Sequence, residues 1–174
     1  TRLVERVPPL ETQLTLVIAP TKSSDRFEWM LEKAMEYGVS RIQPVWTHRG
    51  ERTKEKRDRW NRILVSALKQ SQQLWLTELM PSIPWEEYLV KAEGVGFIAH
   101  CEIGEKLHLF DALNPGESCW LAIGPEGDFT AAEIAAAKEK GAMEVSLGAQ
   151  RLRTETAGLA AIQMFALAQR LRSS

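Results

Sequence analysis

Short apolar runs set between helical patterns constrain this chain more than any other feature. Leu14 to Ala19 (LTLVIA), Val95 to His100 (VGFIAH) and Cys119 to Ile123 (CWLAI) read as strands buried on both faces. Between them come amphipathic helices. The first carries Phe27, Leu31, Ala34 and Met35 on one side, with Asp25 and Glu28 placed to cap its start and Gly38 at its end. A strand at Arg41 to Trp46 (RIQPVW) follows, and the charged stretch THRGERTKEKRDRW leads into a helix with Trp60, Ile63, Leu64, Ala67, Leu68 and Trp75 on one side. Thr130 and Glu133 have capping-box spacing for a helix ending near Gly141; Glu144 to Leu147 is a further strand, and a last helix starts near Thr154, with Thr154 placed as its cap. The alternation predicts an α/β fold, a largely parallel sheet flanked by helices.

With 174 residues, 44 % of them hydrophobic, the chain can bury one substantial core, assigned to residues 13–174. Residues 1–12 (TRLVERVPPLET) have two prolines and no clean period, and read as a linker from an absent upstream domain. The 22 basic and 23 acidic residues nearly cancel, which argues against an electrostatically driven, nonspecific nucleic-acid binder. Cys101 and Cys119 lack metal-ligand spacing, so reduced thiols and no metal site are expected. No leader opens the chain and no apolar run is long enough to span a bilayer, so a soluble cytoplasmic protein with no membrane partner is expected.

The last helix is apolar all round. From Ala157 to Ala168 (AGLAAIQMFALA) only Gln163 is polar, which calls for burial on every side, either centrally or against a second copy of the chain. Ala157, Gly158, Ala160 and Ala161 are small enough for another backbone to come close.

Two loops carry the chemistry. IGPEGDFTAAEI, residues 123–134, runs from a strand through a glycine turn into a helix, but it lacks the lysine and hydroxyl of a phosphate-binding P-loop. Glu126 and Asp128 would repel a polyphosphate, and the dinucleotide fingerprint is absent as well. What remains is a tight turn, either structural or open to a flat and less anionic ligand. LGAQRLRTETAGL, residues 147–159, repeats the pattern of strand, glycine loop and helix. Paired loops at the carboxyl ends of strands are where an open α/β sheet places its ligand.

In this order and at this spacing, IGPEGDFTAAEI and LGAQRLRTETA resemble the paired signature of the RsmE family, SPOUT-class methyltransferases acting on N3 of a uridine in small-subunit (16S) ribosomal RNA. KSSDRFEWMLEKAMEYGVSRIQPV is also similar, with Lys33, Glu36, Gly38 and Val39 in place, as are Arg49 and Gln70-Ser71. The resemblance covers nearly all of residues 14–172. It implies a SPOUT fold with a C-terminal trefoil knot, S-adenosyl-L-methionine as cofactor, a homodimer joined through the C-terminal helix, and a PUA-like N-terminal barrel that helps hold RNA. The partner it implies is ribosomal RNA or the small ribosomal subunit. The implied cofactor residues are Leu121, Ile123, Gly124, Pro125, Glu126, Gly127, Leu147, Gly148, Leu152, Thr154, Thr156 and Ala157.

For methyl transfer to uridine N3, the resemblance points to Arg153 to stabilise the developing anion or anchor a phosphate, and to Glu155 as base or orienting partner; a salt bridge between them at the helix start is the alternative. Arg49, Arg52 and Gln70 are the implied RNA contacts, in a basic segment that reads equally as a solvated face. His100 and Glu102 stand at a strand end where they either face the pocket or form an ordinary strand-end pair. Asp128 replaces a more usual Gly, Gln150 a frequent Arg, and Gln72 or Gln73 a common Arg, which weakens the expected RNA contacts more than the cofactor pocket. Two other functions fit the same residues. One is a SPOUT enzyme with another RNA target, such as a ribose 2′-oxygen; the other is a cofactor-binding dimerisation module inactive without its RNA-binding domain.

Overall fold

The computed structural model describes residues 11–51 and 54–171, so most of the expected linker, and Arg52, lie outside the described residues. The elements are β1 (Leu14–Ile18), α1 (Ser24–Glu36), β2 (Arg41–Trp46), α2 (Arg57–Ser71), β3 (Glu78–Leu79), β4 (Ile83–Pro84), α3 (Trp85–Lys91), β5 (Val95–Ala99), β6 (Leu107–His108), α4 (Leu109–Ala112), β7 (Cys119–Ile123), α5 (Ala131–Glu139), β8 (Met143–Ser146) and α6 (Thr154–Leu171). The strands lie in the order β3-β2-β1-β7-β5-β8-β6, with β4 also on β2, and these pairings are all parallel. The expected α/β architecture is present.

Side-chain alternation explains why both faces are covered. Leu14, Leu16 and Ile18 of β1, with Leu121 and Ile123 of β7 and Phe97 of β5, enter a core shared with α1, α2, α4 and α6. Val17, Ile98, Trp120 and Ala122 point the other way, into a core with α3 and α5. Each such fully buried aliphatic side chain contributes about 1.5–3 kcal/mol relative to exposure. On the second face Trp85 packs against Tyr88, Trp120 and Phe129, with ring centroids 5.0 to 6.5 Å apart. Phe129 thereby anchors the loop after β7 to the core.

Four details differ from the sequence reading. Ser23 is the N-cap of α1 and makes no side-chain cap bond, while Glu28 is buried and pairs with Arg59 at 2.7 Å, because its position one turn into α1 faces α2. The α2 helix stops at Ser71, where Gln72 turns left-handed (φ 54°), so Trp75 leaves the helical face and stands 47 % exposed. Thr154 lies inside α6, and its hydroxyl donates to the Gly124 carbonyl at 3.0 Å. Finally, α6 is not enclosed on every side: Ala157, Ala161, Ile162, Phe165 and Ala168 are buried, whereas Thr156, Gln163, Ala166 and Leu167 are exposed. A Cβ on Gly158 would come within 3.0 Å of Ile18, so this small residue serves the contact of α6 with β1 inside the chain.

The capping box on α5 is present as expected: the Thr130 hydroxyl accepts from the Glu133 N–H, and the Glu133 carboxylate accepts from the Thr130 N–H. Buried Glu133 also accepts the His48 N–H at 2.7 Å, which joins the loop after β2 to the start of α5. Among the described residues no helix is long and apolar enough to cross a membrane.

Candidate functional site

The strands β7, β5 and β8 are neighbours, so the loops leaving their carboxyl ends converge. Between those loops lies a cavity of about 610 Å³. Its apolar floor is made by the strand ends Ala99, Ile123 and Val145 together with Leu147, Leu152 and Ala157. Its polar rim includes His100, Lys106, Glu126, Asp128, Arg151 and Arg153.

The wall after β7 is tightly held. At Gly124 a Cβ would sit 3.0 Å from the Phe129 nitrogen and 3.1 Å from its ring, so the turn closes on itself without room for a side chain. The Asp128 N–H donates to Pro125 O (2.9 Å), and Asp128 takes φ 64°. Arg49 donates through Nη1 to the carbonyls of Gly127 (3.1 Å) and Phe129 (3.3 Å). Glu126 accepts the Lys22 N–H through Oε1 at 3.0 Å, so one oxygen of this carboxylate serves the loop after β1.

The wall after β8 is different. Gly148, at φ 125°, donates its N–H to the Ser146 hydroxyl, which in turn donates to the Gly148 carbonyl. Beyond it, no hydrogen bond among the described residues engages the backbone of residues 149–152. The Arg153 side chain is exposed, borders the cavity and takes no ion pair or hydrogen bond among the described residues. Glu155 is buried and outside the cavity. Its Oε1 lies 3.9 Å from Arg26 Nε on α1, and its Oε2 has no partner, so the alternative Arg153–Glu155 bridge is not formed.

The third wall follows β5. His100 accepts the Glu102 N–H at Nδ1 (3.2 Å), which places its proton on Nε2, facing Glu144 Oε1 at 3.0 Å. Hydrogen bonds from Lys138 and then His100 hold the Glu144 carboxyl below its usual range. Lys106 Nζ donates to the carbonyls of His100 (2.8 Å) and Glu102 (2.6 Å), closing the loop on itself.

Of the residues singled out from sequence, Ile123, Gly124, Pro125, Glu126, Leu147, Gly148, Leu152, Arg153, Thr154 and Ala157 border the cavity, as does His100. Leu121 is buried in the middle of β7, Gly127 packs on Arg49, and Thr156 is exposed on α6; none of the three borders it. Gln70 is exposed near the end of α2, away from the cavity, and Arg49 is engaged by the turn after β7. Lys106, Cys101 and Asp128 border it without having been assigned there. The parallel order would have found the first two, because the loop after β5 must open beside those after β7 and β8. Among the described residues no three His, Cys, Asp or Glu side chains are grouped to hold a metal ion.

The model of the RNA methyltransferase domain matches residues 8–166. The chain belongs to this RNA methyltransferase family. A small-subunit ribosomal RNA methyltransferase E of Synechocystis is 32 % identical over 160 residues, covering 88 % of this chain and 52 % of the relative. The chain thus spans about half the length of that relative. Among solved structures of the family, a probable rRNA-methyltransferase of Porphyromonas gingivalis superposes with a TM-score of 0.88 at 38 % identity, covering 92 % of this chain and 69 % of the other. The ribosomal RNA small subunit methyltransferase E of Neisseria gonorrhoeae, solved bound to S-adenosyl methionine, gives a TM-score of 0.80 at 36 % identity, covering 90 % and 65 %.

Proposed function

We propose that the cavity binds S-adenosyl-L-methionine and that this methyltransferase modifies N3 of a uridine in small-subunit ribosomal RNA. The observation that carries the reading is the contrast between the cavity walls: one is locked around Gly124, and the other keeps the backbone of residues 149–152 free for a ligand. The cofactor fits what is there. A space of about 610 Å³ lies within the range of small-molecule sites, and Leu147 and Leu152 offer apolar surface for an adenine whose polar edge can pair with loop backbone. The rim sets the Glu126 carboxylate beside the cations of Lys106, Arg151 and Arg153, which suits a ligand of mixed charge better than a polyphosphate.

When bound, the cofactor supplies an electrophilic methyl group on its sulfonium. The chain's residues supply position and charge. Arg153 borders the cavity with no partner among the described residues, and its guanidinium serves to stabilise the negative charge of the uracil as its N3 proton departs. Glu155, turned toward Arg26, acts here by tying the start of α6 to α1, and the N3 proton passes to solvent water at the open rim. The same reading includes a C-terminal trefoil knot, a homodimer using the exposed Thr156–Gln163–Leu167 side of α6, an N-terminal RNA-gripping barrel outside residues 13–174, and action in the cytoplasm, where its rRNA substrate lies.

The test is nucleoside analysis. Unmodified small-subunit RNA and assembled small subunits are incubated with the protein and the methyl donor, then digested and examined by mass spectrometry. The expected product is 3-methyluridine at one position; a ribose 2′-O-methyl nucleoside in its place would contradict the reading.

A further inference from the structure

We propose that Asp128 is a positioning residue: its carboxylate latches the loop after β5 to the turn after β7, and so sets the width of the cofactor cavity. The inference rests on the cofactor assignment above. Asp128 takes φ 64°, a left-handed conformation that glycine adopts freely and a side chain adopts only at a cost. Aspartate tolerates it when the carboxylate bonds locally, and here both oxygens are used. Oδ1 accepts the N–H of the adjoining Phe129 at 2.8 Å. Oδ2 reaches across to accept the Cys101 N–H at 2.7 Å.

The second bond lies at the cavity itself, since Cys101 and Asp128 both border it. Lys106 closes the β5 loop on its own carbonyls, and His100 ties that loop to Glu144 of β8. Neither reaches the turn after β7. Among the described residues no hydrogen bond other than Asp128–Cys101 joins these two walls. A carboxylate accepting a backbone N–H is a charge-assisted bond, stronger than a neutral one. Its loss frees the Cys101 end of the wall to move outward, while Gly124 and Arg49 keep the other wall in place.

Asp128→Gly separates the latch from the backbone, because glycine satisfies φ 64° without strain and removes both bonds. Calorimetric titration with S-adenosyl-L-methionine, steady-state kinetics and amide hydrogen exchange are compared for wild type and variant. The expected result is markedly faster exchange of the Cys101 amide, about tenfold weaker cofactor binding, and a raised KM for the methyl donor with kcat little changed. Wild-type affinity in the glycine variant, or unchanged Cys101 exchange, would overturn the proposal. Should the glycine variant misfold, Asp128→Asn keeps the side-chain shape with one acceptor oxygen, and faster exchange of the Cys101 or the Phe129 amide is expected; full protection of both would overturn it. If wild type itself binds no methyl donor, the cofactor assignment fails separately, and Cys101 exchange still decides whether the latch exists.

Discussion

The loops after β7 and β8 begin alike, each leaving a buried parallel strand through a glycine and entering a helix, yet they are held in opposite ways. The first is tied by Lys22, Arg49, Cys101 and Thr154, which come from four other segments of the chain. Beyond Gly148 the second has, over residues 149–152, a backbone with no hydrogen-bond partner among the described residues. The difference teaches which wall is scaffold and which is ligand surface. A loop tied to four other segments is fixed in shape and forms a pocket wall; a loop whose backbone is left without partners at the rim waits for donors and acceptors from elsewhere.

Substitutions on the two walls should therefore fail differently. The largest expected effect is at Gly124, where even a Cβ crowds Phe129: Gly124→Trp should leave no measurable methyl-donor binding by calorimetry. Next comes Arg153→Ala on the open wall. Its side chain has no partner among the described residues, so the unfolding temperature should hold while methyl transfer falls about 100-fold. A matching loss of stability would show that Arg153 is structural. Arg49→Ala, on the locked wall, should do the reverse, losing about 1–2 kcal/mol in urea denaturation through its two bonds to Gly127 and Phe129, with weaker donor binding as a consequence.

A smaller effect concerns acid. Because Lys138 and His100 depress the Glu144 pKa, this group contributes stability above its unfolded value, near pH 4.5, and the contribution is lost as pH falls through the lower folded value. Glu144→Gln should flatten that part of the acid-denaturation curve: the variant is less stable than wild type at neutral pH, and the two converge as pH falls below the folded value of Glu144. Smallest of all is thiol labelling. Burial pushes the Cys119 thiol up to about 12, so in the native protein Cys101 should react and Cys119 should not, with both titrating after denaturation.

Much of this architecture was legible in the sequence. The unbroken apolar runs at 14–19, 95–100 and 119–123 could only be central strands, and the Thr130–Glu133 spacing placed α5 correctly. Short elements were not legible: β3, β4 and β6 are two residues each, and α4 is four, too brief for any period to show. The cavity's glycine loops could be read because backbone shape demands residue type. The role of Asp128 could not, because its partner lies in a loop brought beside it only by the strand order. The all-round apolar pattern of α6 overstated its burial, since small residues such as Ala166 are as compatible with an exposed side as with a covered one.

The most direct test is amide hydrogen exchange of both loops with and without saturating S-adenosyl-L-methionine. The amides of Asp128 and Phe129, which have acceptors inside the first loop, are expected to be protected already in the free protein and little changed by the ligand, while those of residues 149–152 exchange quickly alone and slow strongly on binding. Protection gained in the first loop with none in the second would contradict this expectation, and would place the recognising backbone on the wrong wall.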